Sequence, residues 1–277
     1  MTTLAPKPAE ASGTAARAGR TPSRPSRTGR LLWAAVSPLV LLLLWEASAR
    51  LGLIDARVLP PPTAVGTRMI ELFLHEGLLS HLEATVLRFL AGLTIGVTAG
   101  ILVGLTTGLF TTAHRILNPV IALLYPLPRI AMFPLILILV GLNERANVLE
   151  ITLAPFFAMA ISTMGAVRSI DPIHRDVAAS FNTGTLDLYR RITLPAVLPA
   201  IFGALRVSVG LALTSTTAVE FLAANKGLGY LIWHAWQILS LQDCLAVMAV
   251  AGFLGALAYG GVGMLQGFAV PWQRRQA

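Results

Sequence analysis

Residues 82–109 read LEATVLRFLAGLTIGVTAGILVGLTTGL, and this stretch decides the fold. It is longer than the roughly 20 mainly apolar residues that a helix needs to cross a bilayer. Within it glycine recurs at every fourth position, at Gly92, Gly96, Gly100, Gly104 and Gly108. Glycine at this spacing leaves a groove in which another helix backbone can approach closely. The stretch therefore predicts a membrane-spanning helix that packs tightly within a helical bundle.

The glycine row is expected to wind around its helix. Each step of four residues advances the row by about 40° beyond a full turn, because the helix has 3.6 residues per turn. We therefore expect the row to meet more than one partner helix in succession. A static packing surface and a surface that slides during conformational change both fit this pattern.

The composition extends this prediction to the whole chain. Of its 277 residues 55% are hydrophobic and 12% are charged, which is about half the charged share of a soluble domain. A soluble fold could not hide so much apolar surface, so residues 31–277 are predicted to form one all-α membrane domain. Six spans are expected, at about 31–49, 82–109, 117–142, 147–167, 196–222 and 244–270.

The distribution of positive charge predicts the orientation in the membrane. Residues 1–30 lack aromatic side chains and carry six Lys and Arg residues, and they are predicted to be a disordered basic tail. With six spans, this tail and the C-terminus lie on the same side of the membrane. The segments on that side, the tail included, carry 13 of the 21 Lys and Arg residues, and the segments on the opposite side carry five. Because positive loops stay inside, the sequence predicts a multi-pass protein of the bacterial inner membrane with both termini in the cytoplasm.

A short helix is expected between the first two spans. Three prolines at 60–62 form a stiff stop, and Thr63 is expected to cap the helix that follows. Its apolar face would contain Val65, Met69, Leu72 and Phe73. We expect an amphipathic helix on the outer membrane surface, with an ordinary solvated loop as the alternative.

The third span is interrupted by prolines. Proline removes a backbone donor and kinks a helix, and broken backbone at membrane depth is tolerated where it lines a cavity. Residues 125–129 therefore predict a break that lines the translocation pathway, with Pro126, Pro128 and Arg129 as candidates. Alternatively, the Arg129 side chain extends to the lipid headgroups.

Two more ionisable residues lie in the fifth span. Glu220 stands near its predicted outer end and is a further pathway candidate, and Arg206 stands near its inner end. Both side chains could instead face neighbouring helices or the interface.

The predicted inner loop at 168–195 has the character of a docking element. Ala178 and Ala179 allow a partner to approach closely, and a turn near Asn182 and Gly184 reverses the chain. A second short helix at 186–192 carries two arginines and stops before Pro195. A solvated connector would not need this mixture of small, apolar and charged residues.

This loop resembles the EAA loop of permease subunits in ATP-binding-cassette importers. The family pattern is Glu-Ala-Ala, three residues, Gly, nine residues, Ile, one residue, then Leu-Pro. Asp176 stands at the glutamate and Asn182 at the glycine, where asparagine still permits the turn. The residues that the resemblance assigns to ATPase coupling are Asp176, Ala178, Ala179, Asn182, Gly184, Ile192, Leu194 and Pro195.

The resemblance covers about 31–270 and includes the segments 59–65, 118–142, 219–222 and 226–231. These are similar to the nitrate, sulfonate, taurine and bicarbonate importer branch. The resemblance implies the type I importer fold of six transmembrane helices with a coupling-helix loop. It also implies a homodimer, a docked dimer of ABC ATPases and an extracytoplasmic solute-binding protein. The solute would be a sulfonate, a nitrate-like ion or another small organic anion, moved by alternating access.

The sequence also limits the other functions. It has no phosphate-binding loop, because Lys7 and Lys226 are its only lysines, and it has no HExxH or CxxC site. We therefore expect a transport subunit in contact with membrane lipid, with no catalytic residues, cofactor, metal or nucleic-acid partner. An ion-coupled secondary transporter or channel is the alternative. That class predicts paired acidic residues or inverted repeats at mid-membrane, and neither is visible.

Overall fold

The computed structural model describes residues 27–171 and 193–272, and all regular structure in these two ranges is helical. Most of the predicted basic tail lies outside the described residues. So do six of the predicted coupling residues, Asp176, Ala178, Ala179, Asn182, Gly184 and Ile192. The described helices are α1 (Arg27–Arg50), α2 (Pro62–His75), α3 (Leu78–Leu109), α4 (Thr111–Leu124), α5 (Arg129–Val140), α6 (Glu144–Arg168), α7 (Leu194–Ala223), α8 (Leu228–Gln237) and α9 (Leu241–Ala269).

Four of these helices, α3, α6, α7 and α9, are long and apolar enough to cross a membrane. The helices α4 and α5 make a fifth crossing if they count as one span, broken by a bend of 104°. The predicted first span coincides with α1, which this count does not include. The described residues thus support four or five spans, and the predicted number of six is not established.

The glycine row packs against a single helix, so the expectation of several partners is wrong. A Cβ atom at Gly92 would lie 2.4 Å from the Ile151 side chain, and one at Gly108 would lie 2.6 Å from Val167. The facing residues on α6 also recur at every fourth position, namely Ile151, Pro155, Met159, Thr163 and Val167. Because both rows turn around their helices at the same rate, the two helices can wrap around each other and stay in contact along the whole row.

This pairing also fixes the direction of the chain. Gly92 lies beside Ile151 and Gly108 beside Val167, so α3 and α6 run in the same direction. The chain must therefore return from one end of the pair to the other between them, and α4 and α5 carry it back. We name the two ends of the bundle the Glu144 end, where α6 begins, and the Arg168 end, where α6 ends.

The remaining helices are arranged around this pair. Near the Arg168 end, Val197 of α7 is buried in one cluster with Val167, so α7 runs antiparallel to α6 and finishes at the Glu144 end. The helices α2 and α8 and the start of α9 share an apolar cluster at the Glu144 end, formed by Val65, Leu72, Leu78, Leu228, Ala246 and Val247.

The short helix α2 is present, but it is capped differently from the prediction. Its N-cap is Pro61 rather than Thr63, and a proline occupies its first turn, where a missing N–H costs nothing. The carboxylate of Glu46 in α1 accepts hydrogen bonds from the Thr63 backbone N–H at 3.1 Å and from its hydroxyl at 2.8 Å. The apolar face packs on protein through Val65 and Leu72, whereas Phe73 is exposed.

Candidate functional site

Glu220 is completely buried near the end of α7, where three donors hold its carboxylate. From α3, Thr85 Oγ1 and Arg88 Nη1 each donate a hydrogen bond at 2.9 Å. From α8, the backbone N–H of Gly229 donates at 3.0 Å. Both carboxylate oxygens are therefore engaged, and Glu220 faces neighbouring helices, which was one of its two predicted settings. Its place on the translocation pathway stays a prediction.

Arg88 connects this carboxylate to the start of α6. Its Nε and Nη2 atoms bind the two oxygens of Glu144 at 2.7 Å and 2.6 Å, and its Nη1 atom also donates to the Lys226 carbonyl. A bidentate pair of this kind is strong and directional. The Arg88 side chain is 9% exposed, and the two carboxylates compensate its charge. Through these contacts Arg88 connects α3, α6 and α7 at the Glu144 end.

The sequence analysis assigned no role to Arg88. The available signal was its position four residues before Gly92, because it continues the glycine row toward the start of α3. A charged residue on the row that faces a partner helix must find an opposite charge there.

The loop after α7 folds over this network. Gly227 has a φ of +137°, and a Cβ atom there would lie 2.2 Å from the Glu220 carboxyl carbon, so only glycine fits. The N–H of Gly227 donates to His81 Nδ1 at 3.1 Å, and the N–H of Leu228 donates to Thr85 Oγ1 at 2.8 Å. The motif at 226–231, noted in the sequence for its resemblance, therefore closes the loop onto Glu220.

A cleft of about 900 Å³ opens beside the network at the Glu144 end. Its apolar wall comes mainly from α3, through Ala84, Leu87 and Ala91, and Leu137 of α5 adds to it. Its polar lining consists of Arg88, Asn143, Glu144, Asn147, Asn225 and Lys226. A concave surface that is lined by both apolar and polar residues suits a small amphipathic solute or the tip of a protein loop.

The predicted break in the third span is present. Helix α4 ends at Leu124 and α5 begins at Arg129, so Pro126 and Pro128 lie between them. The ring of Tyr125 meets Phe157 of α6 edge-on, with centroids 6.3 Å apart. Whether these residues line the pathway stays a prediction.

A second carboxyl group lies in the spans near this break. Glu150 of α6 is 1% exposed, and its Oε2 atom has no hydrogen-bond partner in the part of the chain that the structure describes. Arg129 is the cation that interacts with it electrostatically. Arg129 and Glu220 share no hydrogen bond or ion pair, so the predicted pathway residues fall into two separate groups.

Arg206 lies deeper in the bundle than the sequence indicated. It is the thirteenth residue of α7, so its Cα atom is about 18 Å along the helix axis from Leu194 and about 4 Å from the midpoint. Its guanidinium lies over the ring of Tyr259 in α9, with 5.6 Å between Cζ and the ring centroid.

The predicted coupling segment at 168–195 joins the ends of two spans at the Arg168 end. Helix α6 finishes at Arg168, and α7 starts at Leu194 with Pro195 in its first turn. Leu194 is 41% exposed, so this edge of the segment is open. Within 27–171 and 193–272, no three His, Cys, Asp or Glu residues come close enough to hold a metal ion.

The four long apolar helices and the broken span of the described chain define an integral membrane protein. The chain belongs to the family described as the binding-protein-dependent transport system inner membrane component, whose model matches residues 96–274. The predicted class is thereby confirmed. The chain is the permease subunit of an ABC importer in the inner membrane, and a separate subunit hydrolyses ATP.

Two curated relatives extend the comparison beyond the family model. The chain is 33% identical to the taurine transport system permease protein TauC of Escherichia coli strain K12, over 84% of this chain and 86% of TauC. It is 27% identical to the formylaminopyrimidine transport permease protein ThiX of Halalkalibacterium halodurans, over 86% of this chain and 94% of ThiX.

One solved structure supports the fold. A chain of the inward-facing MetNI methionine ABC transporter superposes with a TM-score of 0.54 at 18% identity, covering 71% of this chain and 95% of that chain. At this identity the likeness concerns the fold alone, and the architecture is that of an ABC importer permease.

Proposed function

We propose that this permease imports a small organic anion that carries a sulfonate or a similar oxyanion group. It acts as a homodimer with an ATPase dimer docked on its inner loop, and a solute-binding protein delivers the solute from outside. The similarity to TauC supports the solute class, since taurine is an aminosulfonate and the identity of 33% exceeds the 27% shared with ThiX.

The proposed orientation places the Glu144 end outside and the Arg168 end in the cytoplasm, with both termini inside. The excess of Lys and Arg in the segments that would then be cytoplasmic supports this. The cleft beside Arg88, together with α2 and α8, would then face the solute-binding protein.

A stripe on α7 supports the homodimer. Gly203, Val207, Gly210 and Thr214 recur at helical spacing and are all exposed in the single chain. A Cβ atom at Gly203 or Gly210 would have no heavy atom within 4 Å. We place this stripe toward the second copy, where its small residues leave a narrow space between the two α7 helices.

The docking role of the inner loop rests on the spacing of its motif. The segment joins Arg168 to Leu194 at the end that we place in the cytoplasm. ATP-driven closure of the ATPase dimer would push this segment, and α6 and α7 would transmit the movement to the bundle.

The docking role predicts the effect of altering the motif in the inner loop. The complex, co-expressed with the ATPase of its own operon and purified in nanodiscs, is compared with the variant Asp176→Arg plus Ala179→Glu. We expect co-purification of the ATPase and ATP turnover to fall by at least about tenfold, because a loss of roughly 1.4 kcal/mol in docking corresponds to that factor.

The matched control makes the same chemical change at the opposite end of the bundle. Asp55→Arg plus Ala56→Glu alters an exposed loop before α2, and it should leave both readouts near the wild-type values. If the inner-loop variant behaves like this control, or if the intact chain never recruits the ATPase, the proposed docking role of the inner loop is refuted.

A further inference from the structure

Arg206 is a cation inside a span whose charge no carboxylate of the described chain neutralises. No Asp or Glu oxygen lies within 4 Å of it in residues 27–171 and 193–272. Its Nε atom is buried without a hydrogen-bond partner there. A charge at membrane depth is costly, and such residues pair with an opposite charge or face a polar cavity.

The guanidinium is held in place by α9. It lies over the Tyr259 ring, and its Nη2 atom is 3.5 Å from where a Cβ atom of Gly263 would be. Tyr259 is itself 52% exposed. The tyrosine ring thus positions the cation without neutralising it, and one side of the pair stays open.

The open side of Arg206 is lined by small residues. Gly203 and Gly210 stand three residues before and four residues after it, on the same face of α7. Both are exposed, and both have open space where a side chain would be. A small group can therefore approach the guanidinium from this side.

A second copy of the chain does not supply the missing charge from its described spans. Glu83 is exposed, but it stands five residues from the start of α3 at the Glu144 end, whereas Arg206 stands 17 residues from that end of α7. Glu150, the carboxylate deepest in a described span, and Glu220, near the end of α7, are 1% and 0% exposed. Neither can reach the surface of its own chain to meet Arg206 of another. The anion must therefore come from outside the described protein.

Tyr259 is set well back from the end of its helix, which disfavours a lipid phosphate as this anion. Tyr259 lies ten residues before Ala269, the last residue of α9, so the ring is about 15 Å from that end of the helix. A solute that crosses between two copies passes this depth in any case.

We infer that Arg206, positioned by Tyr259, is the contact for the oxyanion group of the solute in the middle of the membrane. This inference rests on the proposed import of a small anion, and it gives the anion a partner at the depth where water is least available. Arg206 is then a specificity-determining residue, because a neutral or cationic solute would leave its charge unpaired at this point.

The test measures the charge selectivity of this site without requiring the natural solute. In a Cys244→Ala background, Gly203→Cys or Gly210→Cys is introduced into the assembled complex in nanodiscs. Two methanethiosulfonate reagents are compared, one carrying a sulfonate and the other a trimethylammonium group. We expect the sulfonate reagent to react faster, and Arg206→Gln to lower the ratio of the two rate constants by about tenfold. Arg206→Lys should restore the ratio.

The control site is Gly165→Cys, on α6 away from Arg206, where the ratio should not depend on Arg206. If neither charged reagent reaches Gly203→Cys or Gly210→Cys, this face of α7 is covered by lipid or by the second copy, and the inference fails. It also fails if the ratio is the same with and without Arg206.

A second measurement separates this inference from the solute assignment. Uptake of radiolabelled taurine is measured in proteoliposomes that contain the full complex and its binding protein. We expect Arg206→Gln to lower uptake at least about tenfold and Arg206→Lys to retain more of it. Uptake that is unchanged in Arg206→Gln overturns the role in solute contact. If wild type moves no taurine while reagent selectivity still depends on Arg206, the sulfonate assignment fails and the anion site stands.

Discussion

Replacement of Glu220 by glutamine is expected to lower the free energy of unfolding by about 3 kcal/mol. Breaking a buried ion pair costs about 3–5 kcal/mol because a charge is left without its partner. We expect the lower end of this range, because Glu144 still neutralises Arg88 at 2.6 Å. The glutamine amide has one acceptor oxygen in place of two, so its NH2 group would face a donor, either Arg88 Nη1 or the Gly229 N–H. The measurement is reversible denaturation of the purified protein by SDS in mixed micelles.

Glu83→Gln is the matched control for this prediction. Glu83 is exposed near the start of α3, and it undergoes the same change of side chain in the same region of the bundle. A surface substitution of this kind usually changes stability by less than about 0.5 kcal/mol. Equal destabilisation by Glu220→Gln and Glu83→Gln would show that the buried network contributes nothing specific.

The second large effect is expected from Gly100→Ala. A Cβ atom at this position would lie 2.6 Å from the Phe156 carbonyl oxygen and 2.7 Å from Met159 Cβ. Because the obstacle includes backbone, the two helices must move apart and lose close contact with each other. We expect a loss of at least about 3 kcal/mol in the free energy of unfolding, at the upper end of typical overpacking costs, measured by the same SDS denaturation.

Gly165→Ala is the control for the effect of alanine itself. Gly165 is on α6, is exposed, and has no heavy atom within 4 Å of an added Cβ atom. Alanine is favoured over glycine inside a helix by roughly 0.5–1 kcal/mol, so this variant should be as stable as wild type or slightly more stable. If Gly100→Ala is also neutral, the close packing of α3 on α6 is not a source of stability.

Much of the fold could be predicted from local properties of the sequence. The positions of α3, α6, α7 and α9 follow from the length and apolar character of single segments, because the bilayer imposes the same requirement on each of them. The break at 125–128 follows from prolines that cannot donate backbone hydrogen bonds. The family resemblance followed from the fixed spacing in the inner loop.

The candidate site was less predictable because its residues are distant in the chain. Glu220 was identified as an ionisable residue in a span, but Arg88 is 132 residues before it, and no local pattern connects the two. The sequence also did not reveal that the glycine row packs against α6 alone. The matching row on α6 contains only ordinary apolar and small residues, so it does not stand out in the sequence. Thr63 was assigned to the wrong cap position because its actual partner, Glu46, belongs to another helix.

The sequence by itself determined that this protein is a multi-span permease, and it predicts a docking segment between two of the spans. Apolar length, proline breaks and motif spacing act within one segment, so they can be read without knowing its neighbours. The tertiary structure decided which charges are paired and which remain unpaired. Electrostatic compensation depends on distances of a few ångströms between helices, and only the packing of α3, α6, α7 and α9 places Glu220 against Arg88 and leaves Arg206 beside Tyr259 with an open side.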